Sequence, residues 1–293
     1  MITNHGIHQW RVIPGLPDTG GQNVFVNQFT AALAKLGFRV TIANRGGYPH
    51  PVTGESRTGI HYWDECRRIL YLEDGVREFV RKEDMGERIP ALAESLSRTL
   101  DAEGIGVYLI VSHYWDGAAI GARYNADRSG QVQHVWVPHS LGAIKRRNVP
   151  PGRWGGLRID ERIATERSLI RGLDGIAATS SAVERALRED YGYTGPTVFL
   201  PPCVDPDRYH PREVSDADPV WGFLSQRSGL PPEAVRRCKI VTEISRTDTT
   251  KRKDVLIEAF AIARQRVPNS LLVVSVDDTK DELAGELKGL IRA

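Results

Sequence analysis

Strand-like and helix-like segments alternate along this chain of 293 residues, and the alternation limits the folds that it can adopt. Seven short apolar segments are predicted as strands: Arg39–Ala43, Val107–Ser112, Gln133–Pro138, Gly175–Thr179, Val198–Leu200, Lys239–Ile244 and Leu271–Val276. Helical periodicity is seen in Ile89–Leu100, Ile159–Arg171, Ala182–Tyr191 and Asp254–Arg266. Strands separated by helices predict an α/β fold, in which helices cover both faces of a parallel sheet.

The length and the charge of the chain narrow its class. A chain of 293 residues normally forms one large or two medium domains. Its net charge of +2 does not indicate nucleic acid or an acidic membrane surface as the main partner. No apolar run approaches the roughly 20 residues of a membrane helix. No basic, apolar leader is recognisable either, so we expect a cytoplasmic protein.

The cysteines and the two ends give further expectations. Cys66, Cys203 and Cys238 are far apart and have no Cys-x-x-Cys spacing, so we expect free thiols and neither a zinc site nor a disulfide framework. Residues 1–6 resemble only the end of a first strand, and the chain stops within a helical pattern. The expectation is a protein that is short for its fold, or a piece of a longer one.

The segment from Pro17 to Ala32 contains a pair of glycines, Gly20 and Gly21, where a loop leads into a helix. Backbone N–H groups at such a helix N-terminus can face an anionic ligand closely. The apolar stripe predicted for this helix consists of Phe25, Phe29, Leu33 and Leu36, and Gly37 ends the helix. A glycine pair by itself is more often only a tight turn, so its weight depends on the rest of the chain.

Polar clusters follow several of the predicted strands, where ligands of doubly wound sheets bind. The clusters are His113–Asp116, His139–Gly142 with Lys145 in phase, Ser180 with Ser181, and Arg246 with Lys251. Arg246 and Lys251 share one short loop, which would place two positive charges on a diphosphate. Together with the glycine pair, these clusters predict a single cleft lined with cationic and hydrogen-bonding groups.

Each cluster also has a structural interpretation. His139 could cap a loop, His113 could form hydrogen bonds in the core, and the two serines are more simply helix N-caps. Arg246 and Lys251 could be ordinary loop charges. Two Asp-x-Asp pairs, at 205–207 and 216–218, match a pattern of metal-dependent sugar transferases, but they lie in a Pro-rich stretch and favour solvated turns. The chain has no phosphate loop of the NTPase type, no Gly-x-Gly-x-x-Gly and no Gly-x-Ser-x-Gly. These absences argue against an NTPase, a classical dehydrogenase and a serine hydrolase.

Several motifs together resemble one family. They are Pro17-Asp18-Thr19-Gly20-Gly21-Gln22, Phe79–Asp84, His139-Ser140-Leu141-Gly142 with Lys145, Arg162–Glu166, Thr179–Glu184, Pro201–Asp205, Ser245–Asp248 with Lys251, and Leu256–Phe260. This set resembles the retaining two-domain glycosyltransferases of family 4, in the group of sucrose-phosphate synthase and mannosylfructose-phosphate synthase. The resemblance covers nearly the whole chain and is firmest over 17–45 and 134–260.

The resemblance implies a GT-B fold with two Rossmann-like, doubly wound parallel-sheet domains, the second one incomplete in this chain. We expect an acceptor-binding domain at 1–203, a linker at 204–236 and the start of a nucleotide-sugar-binding domain at 237–293. The family has a Glu-x7-Glu element late in its second domain, and the chain ends before that element. Glu282 and Glu286 are four residues apart and do not replace it.

Roles follow from the resemblance position by position. The resemblance implies catalytic roles for His139, Arg246 and Lys251. It implies donor binding by Gly21, Ser140, Arg246 and Lys251. Acceptor binding is implied for Gln22, Lys82, Tyr114 and Lys145. Lys82 and Lys145 would bind an acceptor phosphate, and the two cations of the second domain would hold the donor diphosphate. No metal and no resident cofactor is implied, since the nucleotide sugar, with UDP-glucose as the expected donor, is a co-substrate.

The implied function is retaining transfer of a hexose from a UDP- or GDP-sugar to a sugar phosphate such as fructose 6-phosphate. Attack by the acceptor hydroxyl on the front face is expected, with no covalent glycosyl-enzyme. One alternative is transfer to an inositol or polyol phosphate, because Gly21-x-Asn23-Val24-x-Val26 also resembles that branch. Another is a catalytically silent acceptor-binding module, which the missing Glu-x7-Glu favours. A sugar-nucleotide epimerase fits the fold but not the arrangement of His139 and Lys145.

Overall fold

The computed structural model describes residues 1–13, 16 and 18–292. The chain divides into two compact units, Met1–Tyr209 and His210–Ala293. The first unit contains strands β1 (Val40–Arg45), β2 (Gly59–Tyr62), β3 (Arg67–Leu72), β4 (Leu109–His113), β5 (Gln133–Val137), β6 (Gly175–Ala178) and β7 (Thr197–Phe199). Its helices are α1 (Gly21–Lys35), α2 (Ile89–Ala102), α3 (Tyr114–Ala126), α4 (Gly142–Asn148), α5 (Ile159–Leu169) and α6 (Ser181–Glu189).

The second unit is smaller and is described by itself. It contains α7 (Pro219–Ser228), α8 (Pro232–Arg237), β8 (Lys239–Glu243), α9 (Lys253–Arg266), β9 (Ser270–Val274) and α10 (Asp281–Arg292). Strands β8 and β9 are parallel and are connected through α9, as in a βαβ unit. The chain continues from β9 into α10, so strands and helices alternate in this unit as well.

A single sheet runs through the first unit. Strands β1, β3 and β2 form one group, in which β2 is antiparallel, and β4 to β7 form a second group that is parallel throughout. Ile2 joins the two groups, because it forms parallel bridges to both Ala43 and Ser112. Residues 1–3 thus pair with both groups as the end of a first strand would, as the sequence predicts, and the chain bends at residues 5 and 6.

Buried apolar side chains form the core on both sides of this sheet. One cluster lies against α2, where Leu92, Leu96 and Leu100 recur every four residues. Another is built around Trp136 of β5, which is fully buried. The carboxyl ends of β4 and β5 and the N-terminus of α1 are thus fixed by packed elements, which positions the loops that follow the strands.

The predicted strands and helices all occur within about two residues of their expected bounds. Sequence reasoning missed β2, β3, α3 and α4. Strand β3 begins with two arginines, which do not fit an apolar pattern, but Arg68 is buried because Glu103 pairs with it at 2.6 Å. Short α4 carries three consecutive basic residues, which hid its helical pattern.

Two details of the predictions were wrong. Of the predicted stripe of α1, Phe25 is buried and Phe29 packs against the same core, whereas Leu36 is 74% exposed. The buried residues of this helix also include Asn23, Val26 and Thr30. The predicted stripe counted only apolar residues and overlooked two buried polar ones. The Pro-rich stretch is also not only solvated turns, because it contains α7 and α8, and Asp218 caps α7 by accepting a hydrogen bond from the Val220 N–H. The three cysteines are free, as predicted.

Candidate functional site

The glycine loop leads into α1 as predicted. The Gly20 N–H donates a hydrogen bond of 2.9 Å to Oδ1 of buried Asn23, which in turn lies 3.3 Å from His8 through its Nδ2. A Cβ atom added at Gly20 or Gly21 would meet no other atom within 4 Å, so packing within the chain does not require glycine there. A helix N-terminus leaves backbone N–H groups unsatisfied, and open space beside it permits an anion to approach. Pro17, the first residue of this motif, lies outside the described residues.

Lys82 is joined to the glycine loop by Asp18. The Nζ atom of Lys82 forms an ion pair with Asp18 Oδ1, and its backbone N–H donates to Asp18 Oδ2 at 3.4 Å. Burial disfavours both charges, but the mutual attraction is larger, so the pKa of Asp18 is lowered and the pKa of Lys82 is raised. Asp18 has a left-handed φ of 51°. This contact fixes the loop against the 3₁₀ turn Lys82–Arg88.

Lys145 and Lys82 converge on one carboxylate, although 63 positions separate them in the sequence. Glu83 Oε1 lies 3.4 Å from Lys145 Nζ and 4.0 Å from Lys82 Nζ. Burial lowers the pKa of Lys145; Glu83 opposes this effect, and the charges of Arg162 and Lys82 add to it. The structure therefore brings together the two lysines that the sequence singled out.

An open pocket surrounds these side chains, with an empty volume of about 490 Å³ that includes solvent at its mouth. Its polar lining consists of Lys82, Glu83, Lys145, Arg158, Glu161, Arg162 and Thr165. Arg158 pairs with Asp84 at 3.2 Å and with Glu161 at 3.4 Å. Cations of this basic pocket thus have carboxylate partners, and an anionic ligand must compete with those carboxylates.

His139 lies at the carboxyl end of β5 in a left-handed conformation, with φ of 53°. Its Nε2 is 2.9 Å from Nδ1 of buried His113, and its ring packs edge-on against Phe25 of α1 at 5.0 Å. Burial lowers the pKa of His139 to about 3, and the electrostatic interaction with neighbouring His5 acts in the same direction. The imidazole is therefore neutral near pH 7 and can donate or accept a hydrogen bond without carrying charge.

Tyr114 and Gln22 lie beside this histidine. The Tyr114 ring is 5.3 Å from the ring of His139 and is stacked on His5 at 3.9 Å. Gln22 donates a hydrogen bond from Nε2 to Thr3 Oγ1, which fixes its amide at the start of α1. The predicted acceptor and sugar contacts of the first unit are therefore linked through α1, the end of β4 and the end of β5.

A buried network holds the loop that follows β5. Arg162 donates hydrogen bonds to the Ser140 carbonyl at 2.6 Å and to Ser140 Oγ at 3.1 Å. Its partner Glu166, at 2.8 Å, accepts a hydrogen bond from the Gly142 N–H at 2.9 Å. The Tyr191 hydroxyl donates to Glu166 and accepts from the N–H of Ala143 at 3.0 Å. The network satisfies the first N–H groups of α4 and so positions Lys145 on that helix.

In the second unit, Arg246 and Lys251 follow β8 as predicted, and both are exposed. Neither forms an ion pair with a carboxylate among the described residues of this unit. Lys253, which sequence reasoning missed, is the buried cation of this loop. Its Nζ donates to the Ser245 carbonyl at 2.9 Å and to Ser275 Oγ at 3.0 Å, and it pairs with Glu243 at 3.2 Å. Lys253 therefore anchors the backbone next to Arg246.

The structure also settles smaller points. Ser180 is the N-cap of α6, because its hydroxyl accepts from the Val183 N–H, as favoured from the sequence. His113 is a hydrogen-bonding residue of the core, one of the two interpretations left open. The acidic partners Asp18, Glu83 and Glu166 were missed as functional residues. A signal was present in each case, because Asp18 and Glu83 lie inside recognised motifs and Arg162 precedes Glu166 by one helical turn.

Comparison with known proteins identifies the family. The sequence profile of Glycosyltransferase Family 4 matches residues 19–208. The chain belongs to this family. It is 28% identical over its full length to mannosylfructose-phosphate synthase from Agrobacterium fabrum, of which it covers 63%. It is 30% identical over 90% of its length to a D-inositol 3-phosphate glycosyltransferase from Rhodococcus erythropolis, of which it covers 55%. The chain thus spans about three fifths of the curated relatives that it matches.

Solved structures show the fold of this family member. Sucrose-phosphate synthase from Thermosynechococcus elongatus superposes with a TM-score of 0.73 at 22% identity, over 99% of this chain and 66% of that one. The catalytic domain of starch synthase IV from Arabidopsis thaliana gives 0.60 at 13% identity, over 96% and 70%. The predicted α/β fold of GT-B type and the predicted family are both confirmed.

Among the described residues, no helix is both long and apolar enough to cross a membrane. The same residues contain no group of three or more His, Cys, Asp or Glu side chains that could hold a metal ion. The expected cytoplasmic location and the roles of the individual site residues stay predictions.

Proposed function

We propose that the protein transfers a hexose from a nucleotide sugar to a phosphorylated sugar, with retention of configuration at the anomeric carbon. The observation that carries this proposal is the convergence of Lys82 and Lys145 in one pocket. Two ammonium groups that share one site favour a dianionic phosphate over a neutral hydroxyl group. The names of two similar proteins, mannosylfructose-phosphate synthase and sucrose-phosphate synthase, agree with a phosphorylated acceptor.

In this proposal the first unit binds the acceptor and the second unit binds the nucleotide. Lys82 and Lys145 hold the acceptor phosphate, and Tyr114 and Gln22 are further contacts of the acceptor. Neutral His139 contacts the transferred sugar. The expected acceptor is fructose 6-phosphate and the expected donor is UDP-glucose, with no resident cofactor.

The chemical step requires stabilisation of the departing diphosphate. Arg246 and Lys251 are exposed cations on a loop that Lys253 anchors, so they can contact the diphosphate, with Gly21 and Ser140 as further donor contacts. Fixed charges stabilise developing negative charge without reorganisation during the reaction, and no metal is needed for this role. The acceptor hydroxyl attacks on the face that the diphosphate leaves, and a leaving phosphate oxygen takes its proton.

The test is release of UDP from UDP-glucose with and without fructose 6-phosphate, using this chain and a chain extended to the length of its relatives. We expect acceptor-dependent release that Arg246→Ala reduces by about 10²–10³-fold. Lys145→Met should raise the KM for fructose 6-phosphate far more than that for fructose. Arg147→Met is the matched control, because Arg147 lies on the same helix but pairs with Asp190 at 2.6 Å.

A second candidate acceptor is an inositol phosphate. It is favoured by similarity to several proteins named D-inositol 3-phosphate glycosyltransferase, at 26–30% identity. Replacing fructose 6-phosphate by inositol 3-phosphate in the same assay distinguishes the two acceptors. If the extended chain releases no UDP or GDP from any donor with either acceptor, the transferase proposal fails, and an acceptor-binding module without turnover takes its place.

A further inference from the structure

Glu83 occupies the centre of the basic pocket. Its side chain is only 11% exposed, and one of its oxygens is within 4.0 Å of both lysine Nζ atoms. The carboxylate hydrogen-bonds to Lys145, but at 3.4 Å this contact is long for an N–H···O bond. A buried acidic group in a pocket that should attract phosphate requires an explanation.

The two lysines differ in their other partners. Lys82 also pairs with Asp18, which holds it against the glycine loop. For Lys145, Glu83 is the one ion-pair partner within the described residues. Burial nevertheless lowers the pKa of Lys145, which means that Glu83 does not fully compensate the cost of burying this charge. The neighbourhood of Lys145 therefore favours additional, or better placed, negative charge.

We propose that Glu83 is an internal counter-ion that the acceptor phosphate replaces, so that Glu83 limits the affinity of the pocket for phosphate. This inference rests on the proposed phosphorylated acceptor. A phosphate that contacts both Nζ atoms must lie close to the Glu83 carboxylate, because that carboxylate is within 4.0 Å of the same two atoms. Like charges at such distances repel each other.

This repulsion also affects which phosphorylated ligand the pocket binds. Inorganic phosphate can gain only the contacts with the cations, so it has little to offset the displacement of Glu83. A phosphosugar gains further contacts through its hydroxyl groups, for which Gln22 is a candidate partner. Glu83 thus disfavours occupation of the site by free phosphate and leaves it open for a phosphorylated acceptor.

The test compares Glu83→Gln with the unaltered chain in calorimetric titrations with inorganic phosphate and with fructose 6-phosphate. Glutamine keeps the shape of the side chain and a carbonyl oxygen for Lys145 but removes the charge. The matched control is Glu87→Gln, since Glu87 lies in the same 3₁₀ turn, is 70% exposed and contacts only Arg88 among the described residues. Circular dichroism checks that all three proteins are folded.

We expect Glu83→Gln to bind inorganic phosphate roughly tenfold more tightly than the unaltered chain, with a smaller gain for fructose 6-phosphate. Glu87→Gln should change neither affinity by more than about twofold, and adding Lys145→Met should abolish the gain. Equal or weaker phosphate binding by folded Glu83→Gln, where the unaltered chain binds fructose 6-phosphate, overturns the role of Glu83 alone. If neither protein binds either ligand, the phosphorylated acceptor itself is wrong, and the inference falls with it.

Discussion

The Nδ1 atom of His113 lies 2.9 Å from the Nε2 atom of His139, so one of the two imidazole rings donates a hydrogen bond to the other. Burial lowers the pKa of His113 well below its usual value, and the neighbouring His139 adds to this effect. Both rings are therefore neutral near pH 7. Because each neutral ring has one donor and one acceptor nitrogen, the contact couples the tautomers of the two rings: if one ring nitrogen of the pair carries the proton, the other must accept it.

This relationship predicts that His139 stays neutral in mild acid. Its pKa is lowered to about 3, so its ring nitrogens should show no protonation between pH 8 and pH 5. The measurement is ¹⁵N–¹H correlation NMR of the histidine side chains, with His139→Gln used for assignment. A titration midpoint near the ordinary histidine pKa of about 6.5 would contradict the burial of this ring.

The buried histidines predict a loss of stability in mild acid. Burial lowers the pKa of His8 and of His134 to about 4, whereas an unfolded chain protonates histidine near pH 6.5. Below pH 6.5 the unfolded state therefore binds protons that the folded state excludes, so stability falls as the pH drops towards 4. For each of these two rings, the free energy of unfolding should fall by about 2 kcal/mol between pH 8 and pH 5. Urea unfolding across this range measures the loss, and an unchanged midpoint would refute it.

Tyr191→Phe should loosen the N-terminus of α4. The substitution removes the hydroxyl that donates to Glu166 and accepts from the Ala143 N–H, and it leaves the buried carboxylate and the half-buried N–H without this partner. We expect a loss of about 1–3 kcal/mol and faster hydrogen exchange in residues 142–148. Exposed Tyr108→Phe is the control and should change neither quantity. Unchanged exchange in α4 would show that Arg162 and Glu166 hold the loop without this hydroxyl.

Two glycine substitutions distinguish a ligand loop from a tight turn. Gly21→Ala adds a Cβ to open space at a φ outside the left-handed region, so stability should stay constant or rise by up to about 1 kcal/mol. If α1 approaches the donor, the same variant should lose UDP-glucose turnover. Gly142→Ala is the structural counterpart, since its Cβ would lie 2.7 Å from Ile163 Cγ1 and should cost about 1–3 kcal/mol. If folded Gly21→Ala keeps full activity, the glycine loop is only a tight turn and does not contact the donor.

Substitutions of two neighbouring lysines in the second unit should have different effects, one on stability and the other on UDP binding. Lys253→Met removes a 2% exposed ammonium from Ser245 and Ser275, and we expect local destabilisation of about 2–4 kcal/mol. Lys251→Met alters an exposed side chain and should stay within about 0.5 kcal/mol while weakening UDP binding. Hydrogen exchange over residues 239–275 and UDP titration measure the two effects. If hydrogen exchange became faster in Lys251→Met than in Lys253→Met, the anchoring role of Lys253 would be wrong.

Local patterns were sufficient for the alternation of strands and helices. Each of the predicted strands is a short apolar run whose identity does not depend on distant residues. Strand β3 was missed because the charge of Arg68 is acceptable only next to Glu103, 35 positions away. The packing face of α1 was assigned only in part for a similar reason, since buried Asn23 is satisfied by the Gly20 loop and His8.

The sequence by itself determined the family, the α/β fold and the cationic candidates, because short motifs and hydrophobic periodicity are local properties of the chain. Only the tertiary structure decided which charges meet. It placed Lys82 and Lys145 next to the same oxygen of Glu83 and brought Glu166 to the backbone of Gly142, in the loop that follows His139. The physical reason is that electrostatic and hydrogen-bond energies depend on distances in space, and strand order, not sequence separation, sets those distances.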